Sequence, residues 1–222
     1  MRQKKLLYAG IGGAVTIAVI IVILIQFQTS SVQISNNADQ SQTSPLDLDF
    51  SYEEANSNLR ATLLSHDLNM SNTLRFSSQS DLNRYCHFFS SDTKQALVKY
   101  CTSTEIKAKN RNFLGNINMV GSTGAPGLVI AALQSDPLLS NLNDVKFIFG
   151  AVINETICTC WDQVKPGGYS TISDMIDAQR DFHMTGKQPT SSSNTIPLGT
   201  EHFRIELTTN QQGYVWKLLI AR

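Results

Sequence analysis

Four cysteines are the residues of this chain best suited to chemistry. Cys86 and Cys101 stand apart, and Cys158 and Cys160 form a Cys-Thr-Cys pair. Three uses fit such a set: disulfides, a metal site and thiol–disulfide exchange. In an oxidising compartment an even number of cysteines reads as disulfides, and four allow three connectivities. Cys158 and Cys160 make poor partners for each other, because one intervening residue closes an eleven-membered ring against the preferred geometry. The favoured scheme pairs Cys86 and Cys101 each with one of those two. Bridges closing loops of about 60–70 residues contribute roughly 3–4 kcal/mol each. The alternative is a metal-binding or thiol-redox surface protein using Cys86, Cys101, Cys158 and Cys160, with His87 or His183 as further ligands. Zinc or copper would want recognised ligand spacings, and no Cys-x₂-Cys is present. Redox catalysis would want Cys-x-x-Cys at a helix N-terminus, where the dipole lowers a thiol pKa.

Little else has catalytic spacing. His66 precedes Asp67, but neighbours on a helix point different ways. Asp174, Asp177 and Asp181 share a helix face, and Arg180 among them marks a solvated ridge rather than a cation site. No G-x-S-x-G, H-E-x-x-H, P-loop or G-x-G-x-x-G occurs, and Gly121-Ser-Thr-Gly124 reads as a turn. Trp161, Tyr169 and Phe182-His183-Met184 read as aromatics closing a core. Asn69-Met-Ser and Asn154-Glu-Thr are formal glycosylation acceptors; Asn69, in an exposed connection, is the better candidate. No catalytic residue, cofactor or metal site is assigned.

The elements that must position these residues follow from composition and period. In 222 residues Lys+Arg and Asp+Glu number 18 each, so the formal net charge is zero. That balance excludes a nucleic-acid binder relying on bulk positive charge. Hydrophobic residues make up 41% of the chain, enough to support a core.

From Leu6 to Ile25 twenty residues carry no charge, and as a helix they span about 30 Å, the thickness of a bilayer core. Arg2, Lys4 and Lys5 precede the run, and the next basic residue is Arg60. The positive-inside rule puts residues 1–5 in the cytoplasm, a transmembrane signal anchor at 6–26, and the remainder outside. Contact with membrane lipid is expected through residues 6–26. Gly10, Ala14 and Ala18 form a small-residue stripe suited to a homodimer. Residues 27–49 are polar and interrupted by Pro45, a flexible linker with a reach of about 25–30 Å.

An extracytoplasmic α+β domain is expected over 50–222, mostly helical and ending in an antiparallel hairpin. Ser51 and Glu54 open a helix with a capping box. Asp81 caps a second helix, and Ala96, Leu97, Tyr100 and Cys101 suggest a third through 90–109. Residues 112–127 read as a breaker-rich connection, and 127–134 as a buried helix or strand. Helices follow from Asp144 to Trp161 and over 170–184, then a long polar loop. Phe203, Ile205 and Leu207 alternate with polar neighbours, as do Trp216, Leu218 and Ile220, across a turn at TTNQQG.

The segments FFSSDTKQALVKYCTSTE, FLGNINMVGS, ICTCWDQVKPGGY and LTTNQQGYVWKLLIA make residues 80–222 resemble archaeal single-pass membrane-anchored proteins with an extracytoplasmic domain of unknown function. The resemblance implies a cell-surface position and no activity. Anchor, tether and compact domain together lead to the expectation of a non-enzymatic module, stabilised by disulfides, that binds a protein partner or assists assembly of a membrane complex.

Overall fold

A computed structural model of the chain describes residues 46–222. The expected anchor at 6–26, its Gly10/Ala14/Ala18 stripe and most of the linker lie outside the described residues. Among the described residues no helix is long and apolar enough to cross a membrane.

Helix α1 (Tyr52–Leu64) starts as its sequence dictates: Ser51 is extended, and its hydroxyl accepts from the Glu54 amide at 3.2 Å. Asp47 and Leu48, ahead of the expected start at Phe50, are already buried. Two short strands, β1 (Asn69–Met70) and β2 (Leu74–Phe76), precede helices α2 (Gln79–Tyr85) and α3 (Asp92–Gln95). Three long strands follow as a meander: β3 (Tyr100–Lys107), β4 (Phe113–Gly121) and β5 (Pro126–Ser135). Next come α4 (Leu142–Thr156), α5 (Trp161–Val164), a 3₁₀ turn and α6 (Ile172–Gly186). Strands β6 (Thr190–Ser192) and β7 (Ile196–Leu198) lead into the hairpin of β8 (Glu201–Asn210) and β9 (Gly213–Ala221).

The described strands form one antiparallel sheet in the order β1-β3-β4-β5-β9-β8-β6, with β2 beside β3 and β7 beside β8. Register explains its two faces. Thr102, Met119, Val129, Ile220 and Phe203 line up across five strands, and all are buried. Because residues in register share a face, this row, with Ile117, Ala131, Leu218 and Ile205 beside it, is the surface on which α1, α4 and α6 pack. The opposite face carries Cys101 and Val120, which join Leu82, Cys86 and Val98 in a small separate cluster.

This corrects the expectation of a mostly helical domain with a terminal hairpin: the hairpin is present, but as part of a sheet that forms the centre of the domain. Residues 92–95 alone are helical in the stretch expected to be a third helix. The chain then alternates Thr102, Thr104 and Ile106 inward against Ser103, Glu105 and Lys107, the period of a strand. The breaker-rich connection at 113–121 is a strand, its Asn and Gly residues held by neighbours on both sides. The helix expected to reach Trp161 ends at Thr156, where the cysteine pair turns the chain.

Candidate functional site

A cleft whose walls carry many polar side chains opens where α1 overhangs the β2 edge of the sheet. Glu53, Asn56, Ser57 and Arg60 are spaced to share one face of α1, and all four line it. Strand β2 and its flanks alternate: Thr73, Arg75 and Ser77 line the cleft, while Phe76 packs against the outer cluster. Tyr100 and Thr102 of β3 form its floor, Thr123 and Gly124 close one end, and the volume is about 610 Å³.

Most of the frame is fixed by hydrogen bonds. Asn56 donates to Tyr52 O at 2.8 Å and accepts from Thr104 Oγ1 at 2.9 Å. Thr104 is also 3.1 Å from Thr73 Oγ1, which ties β2 to β3. The Arg60 guanidinium donates to Met70 O and Ser71 O, both at 2.6 Å. Tyr52 donates to Ser122 O at 2.8 Å and meets Tyr100 edge to face at 4.8 Å. Burial, then the nearby Asp47, pushes the Tyr52 phenol far above its ordinary range, so it remains a neutral donor.

Two charges and one buried hydroxyl stand out. The guanidinium of Arg75 and the carboxylate of Glu53 have no partner among the described residues and are exposed. Thr102 is 1% exposed, and its hydroxyl has no hydrogen-bond partner among the described residues. An unmet hydroxyl costs about 1–3 kcal/mol. Arg75 stands opposite Thr102 in the β2–β3 register, which puts their Cβ atoms about 5 Å apart on one face.

The four cysteines are all oxidised, but not in the favoured scheme. Cys86 bonds Cys101 across a Cα separation of 6.3 Å, and Cys158 bonds Cys160 across 5.2 Å. The sheet explains the correction: Cys86 and Cys101 lie in the cluster on its outer face, Cys158 and Cys160 beside the helix-covered core. With the sheet between them the long-range pairing cannot form. Metal ligation by these sulfurs requires their reduction first. Among the described residues no three His, Cys, Asp or Glu side chains are grouped to hold a metal ion.

The histidines are scattered. His66 stacks on Phe147 with centroids 3.6 Å apart, and His87 and His202 are exposed. His183 is buried, 2.8 Å from Ser191 Oγ and 2.7 Å from Thr209 Oγ1. The first contact has the reach of a base on a nucleophile. Ser191 is buried, however, and already accepts from Gln179, while the far ring nitrogen meets a hydroxyl rather than a carboxylate. The acidic ridge is compensated: Asp177 pairs with Lys146 and Arg180, and Asp181 with Arg180. Trp161 is buried against Phe203 and donates to Tyr169 O. Asn69 is exposed on β1, and Asn154 is exposed on α4.

Sequence reasoning missed the cleft. The available signal was the polar alternation Thr73-Arg75-Ser77 beside Thr102-Thr104, two half-buried strands with hydroxyls where apolar residues usually stand. No protein-family model matches this chain, and neither does any curated protein or solved structure.

Proposed function

We propose that this chain is a non-enzymatic binding module, held at the extracytoplasmic side of a membrane, whose ligand site is the cleft between α1 and β2–β3. One observation carries the reading: the Thr102 hydroxyl is buried and unmet at the floor of a cleft sized for a small molecule. A site that leaves a polar group unmet without its ligand gains that interaction when the ligand arrives. The membrane placement is supported by the uncharged run of residues 6–25 with its basic flank, and by cysteines that are all disulfide-bonded.

Thermal unfolding of the full chain in detergent, against a panel of sugars, sugar acids, amino acids and phosphates, tests the ligand site. A panel member that raises the Tm of the wild type but not of Ser57→Trp, which fills the cleft, supports it. No shift from any member, or an equal shift in both proteins, overturns it. Protease treatment of intact cells tests the placement: digestion of the 46–222 domain supports it, and protection until lysis overturns it.

A further inference from the structure

We infer that the cleft takes a monoanionic, hydroxylated ligand of the sugar-acid class; this inference rests on the cleft being the ligand site. The charge count limits the ligand first. Arg60 is held in the frame by its bonds to two backbone carbonyls, so among the described lining residues Arg75 is the cation without a hydrogen-bond partner. A guanidinium offers a planar fork that matches a carboxylate with two parallel hydrogen bonds. Glu53, on the facing helix, supplies an opposing negative charge. A dianionic phosphate ester would meet repulsion from Glu53, whereas a single carboxylate leaves the lined site near neutrality. A neutral ligand would cover Arg75 without pairing it, and an unpaired, desolvated charge is costly.

The lining defines the rest of the ligand. Ser51, Ser57, Thr73, Ser77, Thr102 and Thr123 all contribute hydroxyls. A hydroxyl both donates and accepts, so such a wall pairs with a ligand that is itself rich in hydroxyls. Tyr100, half-buried in the floor, offers an aromatic surface to a sugar ring. The first turn of α1, thirteen residues long, faces the same space and favours negative charge there. Thr102 gives the independent sign of a ligand: its hydroxyl, buried without a hydrogen-bond partner among the described residues, stands in register with Arg75 at the cleft floor.

Isothermal titration of the full chain in detergent with glucuronate, glucose and glucose 6-phosphate tests the class. Glucuronate is expected to bind about tenfold or more tightly than glucose, as one charge-assisted pair implies. Arg75→Gln removes that preference, and Thr102→Val weakens glucuronate about fivefold or more with the circular dichroism spectrum unchanged. Glu53→Gln improves glucose 6-phosphate binding severalfold. If glucose binds as tightly as glucuronate, or Arg75→Gln leaves glucuronate affinity unchanged, the ligand class is wrong. When Ser57→Trp still abolishes binding in that case, the cleft remains the site. No binding by these three probes, with another panel member held in the cleft, likewise overturns the class alone. Binding of glucuronate that survives Ser57→Trp overturns both readings.

Discussion

His183 of α6 and Ser191 of β6 are joined at 2.8 Å through the imidazole Nδ1 and the serine hydroxyl. Gln179 donates to Ser191 Oγ at 2.9 Å, and the far ring nitrogen, Nε2, lies 2.7 Å from Thr209 Oγ1, so each ring nitrogen meets a hydroxyl that can donate or accept. Burial disfavours the charged imidazolium and lowers the His183 pKa below its ordinary 6.5.

A lowered histidine pKa means the unfolded chain binds the extra proton first. Its contribution to stability is intact above about pH 6.5 and is lost as pH falls from there through the folded value. The urea midpoint should therefore drop between pH 7.5 and pH 5.5. His183→Gln should shrink that drop while costing about 1–3 kcal/mol at pH 7.5, because buried hydroxyls lose their partner. Equal pH slopes for the two proteins would show that His183 is not the titrating group.

The two disulfides should differ in worth. Cys86 and Cys101 are fifteen residues apart, and Cys158 and Cys160 only two. On the chain-entropy model the first bridge contributes about 3 kcal/mol and the second about half that. Cys86 and Cys101 are also fully buried, so replacing both with alanine adds a packing loss. Denaturant titration without reductant should rank Cys86→Ala/Cys101→Ala well below Cys158→Ala/Cys160→Ala. The opposite ranking would refute the assignment of the outer-face bridge as the main staple.

Thr102→Val keeps the shape of the side chain and removes the unmet hydroxyl. The variant should be about 1 kcal/mol more stable than the wild type, while binding less well. A loss of stability would mean that the hydroxyl has a partner in solution.

Gly115 sits in β4 at φ +151°, and a Cβ built there overlaps the carbonyl of Ala132 on β5. Gly115→Ala should cost about 3 kcal/mol or more, through strain and a forced shift of the β4–β5 ladder. Hydrogen exchange across Gly115–Gly121 reads the shift directly, and protection equal to wild type would contradict it.

How legible this was depended on where apolar residues carried the pattern. The hairpin is readable because Phe203, Ile205 and Leu207 face Trp216, Leu218 and Ile220, a full period-two signal. Helix α1 is readable because Ser51 and Glu54 mark its start. Strand β3 is obscured because its inward positions include Thr102 and Thr104, and Ala96, Leu97, Tyr100 and Cys101 offer a competing helical spacing. Strand β4 is obscured by Gly115, Asn116 and Asn118, which resemble a turn until β3 and β5 flank them. The disulfide pairing needed the sheet itself, since only its two faces separate one cysteine pair from the other. The cleft was hidden for a related reason: its members come from four segments between Ser51 and Gly124, and only β2–β3 pairing brings Arg75 to Thr102.

The position of β9 has a consequence for biogenesis. It lies between β5 and β8, so the N-terminal meander is completed by residues 213–221, more than seventy positions downstream of Ser135. Until that stretch emerges, Val129, Ala131 and Leu133 have an unsatisfied neighbouring edge, and the apolar row cannot close. Under the placement proposed above, a chain threaded outward through a translocation pore would stay unfolded along most of its length, in the state such pores accept. Cys86 and Cys101 are close enough in sequence to be oxidised during that passage, ahead of the sheet. Final closure then happens in a single late event, on the far side of the membrane under the placement proposed above.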